Sequence, residues 1–149
     1  MKSALKRSDL LTLFATALII LFCYTAVTKL MDLAEFKRQL ENQVLPAWST
    51  GLLLWLIPGS ELLLCILLAF PATRLAGYYG SAFLMLLFTG YIGLVVAGYF
   101  DRTPCSCGGV LRSLSFEAHL MFNLFFLTLS ILGIYMFHSQ NKFAVTQKT

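Results

Sequence analysis

Cys105 and Cys107 stand one residue apart in DRTPCSCGGVL, residues 101–111, with Pro104 before them and Gly108 and Gly109 after. Two thiols at this spacing have Cα atoms within bridging range in an extended or turn conformation. The ring so closed is very small. Tying residues two apart removes little chain entropy, so the bond is a poor staple. A strained, exposed disulfide has a raised reduction potential and exchanges readily, which suits a relay of oxidising equivalents. Arg102 and Arg112 would favour a thiolate if they lie near. A structural zinc takes four ligands. Only His119 is close in sequence and no second close-spaced cysteine pair exists, so no metal site is expected. The bland alternative is two thiols with no chemistry.

The choice depends on which side of a membrane the pair faces. The chain has 149 residues, 58% hydrophobic and 12% charged, with mean hydropathy +0.78. A soluble domain carries about twice that charge. The composition therefore predicts an integral membrane protein in contact with the lipid bilayer. The net charge of +4 is scattered over loops and ends. It reads as topology signals and headgroup contacts, not as a nucleic-acid surface. The first apolar run is too long for a typical signal core and has no clear small-residue cleavage site after it, so no cleavable leader is expected.

Crossing the hydrocarbon takes roughly 20 mostly apolar residues in a helix. Four segments qualify, at about 10–28, 51–70, 75–99 and 118–137. A bare backbone finds no partner in lipid, so all four must be helical. The expected fold is all-α, an integral membrane four-helix bundle over residues 1–138 with a polar C-terminal tail, 139–149. In the first loop Leu33, Phe36, Leu40 and Val44 recur at helical spacing, with Glu35, Lys37, Arg38 and Glu41 elsewhere on the turn. This predicts an amphipathic helix in the interface; the alternative is a loop helix packed on the bundle mouth. The linker PATR, residues 71–74, is short enough to make spans two and three antiparallel neighbours.

Four spans put both termini on one side. That side carries Lys2, Lys6, Arg7, Arg74, Lys142 and Lys148; the other carries Lys29, Lys37, Arg38, Arg102 and Arg112. Lys2, Lys6 and Arg7 lie just ahead of the first span, which usually dominates insertion. Both termini are therefore expected in the cytoplasm, with Cys105 and Cys107 on the oxidising face.

Glu61 falls inside the second span, three residues after Pro58. A carboxylate there should face the bundle interior. Pro58 cannot donate to the Leu54 carbonyl and loosens the helix beside it. Thr89 and Tyr91 are expected at similar depth, with Tyr24, Thr25 and Asn123 nearer the outer surface. Lys29 is a candidate partner for Glu61, more than a turn too shallow unless its long side chain reaches inward. These residues outline either a polar pocket, able to pass protons or hold a quinone-like head, or interhelical hydrogen-bonding glue. Cys23 and Cys65, counted along antiparallel spans, fall near opposite ends and are expected not to pair; both read as small buried hydrophobes.

A lysine closes span one (YTAVTKLMD), span two carries PGSELLLCILLAF, and TRLAGYYGSAFLMLLF follows a short turn. With GYFDRTPCSCGGVL after span three, the chain resembles the DoxX-like superfamily, and within it the methylamine-utilisation MauE branch. The resemblance implies a bacterial inner-membrane protein associated with maturation of exported proteins; the namesake's client is a disulfide-rich subunit of a periplasmic dehydrogenase. It matches Cys105 and Cys107 to the family's cysteine pair and Glu61 to its span-two acid, while Gly109 stands where many relatives have an aromatic residue. The leading expectation is thiol–disulfide exchange between Cys105, Cys107 and an exported or thioredoxin-like partner, with a quinone near Glu61 as electron acceptor. Two other readings stay open: a non-catalytic accessory or chaperone subunit, and a small transporter using Glu61. The client, the acceptor and the oligomeric state are not readable from the sequence.

Overall fold

A computed structural model describes residues 7–43, 45–46, 48–99 and 116–146. These residues form five helices: α1 (Arg7–Met31), α2 (Leu33–Glu41), α3 (Ser49–Ala69), α4 (Arg74–Val96) and α5 (Phe116–Thr146). Helices α1, α3 and α4, together with Glu117–Ser139 of α5, are long and apolar enough to cross a membrane. Among the described residues there is no strand. The architecture is the all-α four-helix membrane bundle that the four apolar runs predict. Helix α5 continues to Thr146, through most of the stretch that reads in sequence as a polar tail.

On α1, Leu11, Ala15, Leu18, Phe22 and Ala26 are buried. Their spacing of four, three, four and four residues keeps them on one stripe of the helix. The first four meet Leu64, Cys65 and Leu68 of α3 and Tyr78 and Met85 of α4 in the core. Helix α1 packs along α3, and α4 along α5. Leu13, Ile20, Trp55, Leu63, Phe83, Leu86, Phe125 and Ile131 point outward and are exposed. In water such a surface would be unstable; against acyl chains it is the required one.

The turn between α3 and α4 shows how the backbone closes without water. Phe70 is extended, and the Thr73 hydroxyl donates to the Leu67 carbonyl at 2.9 Å. Arg74 Nε donates to the Leu68 carbonyl at 3.2 Å. Two carbonyls orphaned at the end of α3 are thereby satisfied. Gly77 permits the close approach of α4 to α3, since a Cβ there would lie 2.9 Å from the Leu68 backbone nitrogen. Around this end Arg7 Nη1 reaches Ser139 Oγ at 2.8 Å, and the Tyr78 hydroxyl donates to the Leu11 carbonyl at 2.5 Å.

Helix α2 sits at the opposite end. Asp32 caps it, its Oδ1 accepting from the Glu35 backbone N–H at 3.0 Å. Lys37, Arg38 and Glu41 face solvent, and Phe36, Gln39 and Leu40 are buried. The helix is amphipathic as its spacing predicts, and its apolar face covers the bundle, against α3 and α1. Its place there sets a stagger. Helix α3 runs up past the end of α1, alongside α2.

Candidate functional site

The stagger brings Glu61 level with Lys29. Lys29 Nζ lies 2.5 Å from Glu61 Oε1, and the Glu61 side chain is 2% exposed. Lys29 is two residues from the end of α1, where a cation also meets the negative end of the helix dipole. Its ammonium stands 5.8 Å from the centre of the Phe36 ring on α2. The long reach that the sequence demanded of Lys29 is not needed: α3 enters higher than the span boundaries suggest. Glu61 Oε2 has no hydrogen-bond partner among the described residues. Pro58, one turn earlier, is fully buried within a continuous α3, and the Ser60 hydroxyl donates to the Ile57 carbonyl at 2.8 Å beside it.

The ion pair forms part of the wall of a cavity of about 130 Å³ between α1, α2, α3, α4 and α5. Most of the lining is apolar, including Leu21, Phe36, Leu40, Met85, Phe88 and Phe122. The polar groups are few: Tyr24, Thr25, Thr28 and Lys29 on α1, Glu61 on α3, Tyr91 on α4, and His119 and Asn123 on α5. Tyr91 is held by its hydroxyl, which donates to Gln43 Oε1 at 2.6 Å. An apolar chamber with several convergent polar groups is the usual form of a small-molecule site.

Of the residues singled out in the sequence, Glu61, Lys29, Tyr24, Thr25, Tyr91 and Asn123 come together here. Thr89 does not line the cavity; its hydroxyl is buried with no hydrogen-bond partner among the described residues. Cys105 and Cys107 lie outside the described residues. Sequence reasoning considered His119 only as a metal ligand. Its spacing of four residues from Asn123 on α5 was the available signal that both share one face. The α2 side chains in the wall, Phe36 and Leu40, were visible as an apolar stripe but not as part of a site. Among the described residues no three His, Cys, Asp or Glu side chains are grouped to hold a metal ion.

One expectation is overturned. Cys23 and Cys65 do meet, with their sulfurs 2.8 Å apart, and both are free thiols. Cys65 Sγ also lies 3.6 Å from the Ile19 carbonyl. Cys23 is eight residues from the end of α1 and Cys65 sixteen from the start of α3. Had the two helix ends been level, they would stand about 12 Å apart in depth at 1.5 Å per residue. The stagger of α3 past α1 cancels that difference.

Searches of curated proteins and of solved structures found no match to the chain. A family profile described as methylamine utilisation protein MauE matches residues 7–136, nearly the whole of the described bundle. By that match the four-span chain, with its Lys29–Glu61 cavity, belongs to the MauE family.

Proposed function

We propose that this MauE-family protein performs thiol–disulfide exchange at the outer face of the bacterial inner membrane, supporting the maturation of exported proteins. Cys105 and Cys107 are the exchanging pair. The observation that carries this reading is their occurrence, one residue apart, in the connection between α4 and α5. Helix α4 ends beside α2 and the cavity, opposite the Arg7–Ser139 end of the bundle. Lys2, Lys6 and Arg7, just ahead of the first apolar run, favour cytoplasmic termini, which puts the cysteine pair on the oxidising side.

In the exchange, a client thiolate attacks one sulfur of the Cys105–Cys107 disulfide. A mixed disulfide forms and the other cysteine leaves as a thiol. The client's second thiolate then attacks the mixed disulfide. The client gains its S–S bond, and Cys105 and Cys107 are left reduced by two electrons. A two-electron acceptor of quinone type, or a thioredoxin-like disulfide, restores the pair. The family description names methylamine utilisation, and the resemblance of the sequence implies a disulfide-rich exported subunit as client.

The test is the Cys105→Ser/Cys107→Ser chain expressed in place of the native one. The exported client should lose its native disulfides and its abundance while the membrane protein persists at its usual level. Normal client disulfides in that background would instead support an accessory subunit that docks its partner without sulfur chemistry.

A further inference from the structure

The chain has four cysteines, and the exchange above uses two. The other two, Cys23 and Cys65, are 42 residues apart in sequence and place their sulfurs 2.8 Å from each other across α1 and α3. A disulfide has an S–S length near 2.05 Å. The remaining gap is about 0.8 Å. The site is deep in the bundle: Cys65 belongs to the core cluster, which Cys23 flanks. Burial among apolar side chains favours a lipid-soluble oxidant over an aqueous one.

Neither cysteine lines the cavity, but near neighbours of both along their helices do. Tyr24, next to Cys23 in sequence, lines it, as does Glu61, one helical turn from Cys65. At about 130 Å³ it is close to the roughly 150 Å³ engineered cavity that accepts benzene, so a single six-membered ring fits. Its apolar walls suit the faces of such a ring. Lys29 and Asn123 offer donors for ring carbonyls, and Glu61 Oε2, buried and unpartnered among the described residues, offers an acceptor for a ring hydroxyl. A ring that carries carbonyls in one redox state and hydroxyls in the other matches that mixture.

The geometry points to Cys23 and Cys65 as a second, intramembrane dithiol that a quinone-class oxidant, seated in the Lys29–Glu61 cavity, converts to a disulfide. Both thiols lose their protons and one S–S bond forms. Two electrons pass to the ring and two protons join its oxygens, so dithiol and quinone become disulfide and quinol. The inference is independent of the chemistry assigned to Cys105 and Cys107.

The test uses the full chain carrying Cys105→Ser and Cys107→Ser, which leaves Cys23 and Cys65 as its only thiols. The protein is purified, reduced, freed of reductant, and mixed with decylubiquinone. Samples are acid-quenched, unfolded and alkylated with a maleimide polymer that shifts the gel band once per thiol. Quinone should remove both shifts together, generate one quinol per chain, and leave a monomer; reductant should restore both shifts. Adding Cys23→Ser or Cys65→Ser should leave one shift and no quinol. Glu61→Gln should slow the quinone reaction roughly tenfold, the effect of losing one hydrogen bond to a charged group, while diamide still closes the bond. In the unmutated chain, quinone treatment and proteolysis should yield a Cys23 fragment joined to a Cys65 fragment, which guards against misfolding of the variants. Two thiols still alkylated after quinone in chains of normal helix content would overturn the proposal. So would closure by diamide but not by quinone.

Discussion

Lys29 and Glu61 hold α1 and α3 together inside the bundle, with Nζ 2.5 Å from Oε1 and the carboxylate almost wholly buried. Removing one member of such a pair strands the other in a low-dielectric interior, at a cost of roughly 3–5 kcal/mol. Lys29→Met should therefore lower the unfolding temperature in detergent substantially. Lys29→Met combined with Glu61→Gln should recover most of the loss, because no charge is then stranded. Thermal melts of the single and double variants make the comparison. Equal melting of the Lys29→Met and native chains would show that Glu61 does not depend on Lys29.

The second prediction concerns helix packing. A Cβ at Gly133 of α5 would collide with the ring of Tyr78, a fully buried residue whose hydroxyl is tied to α1. A Cβ at Gly77 would meet the Leu68 backbone. Neither obstacle is the free end of a flexible chain. Gly133→Ala and Gly77→Ala should each destabilise by roughly 1–3 kcal/mol, the range for overpacked cores. Gly90→Ala is the control, since nothing lies within 4 Å of its added methyl. It should be neutral or slightly stabilising, because alanine restricts the unfolded chain. Denaturant unfolding in one detergent would rank the three, and a Gly90→Ala chain as unstable as Gly133→Ala would contradict the packing described.

Helix α2 is short and depends on its cap. Losing the Asp32 side chain removes the acceptor of the Glu35 N–H and should cost about 1 kcal/mol. Because the loss is local, Asp32→Ala should raise amide hydrogen exchange across Leu33–Glu41 several-fold and leave α3 and α4 unchanged. Exchange followed by mass spectrometry resolves the two regions. Unchanged exchange in α2 would mean that packing of Phe36 and Leu40 alone holds it.

The sequence was informative where physics acts over one helix at a time. Four apolar runs, the α2 stripe of Leu33, Phe36 and Leu40, and the inward Glu61 all follow from what lipid and water tolerate. It was silent where helices choose their offsets. Counting residues from span ends treats those ends as level, and α2 makes them unequal. That single fact hid the contact of Cys23 with Cys65 and made Lys29 look too shallow for Glu61. The helical extension to Thr146 was hidden for another reason: Gln140, Asn141 and Lys142 are polar enough to read as tail, and nothing in polarity alone forbids a helix leaving the membrane. His119 was passed over because an isolated histidine signals little until its neighbour in space is known.

The central claim is that Cys105 and Cys107 cycle through a disulfide outside the cytoplasm. Its most direct measurement is labelling of intact cells with a membrane-impermeant maleimide, before and after mild reduction, followed by mass spectrometry of the peptide that holds both residues. The account predicts no label before reduction and label on both cysteines after it, without lysis. Label that requires lysis, or both thiols free in unreduced cells, would contradict it.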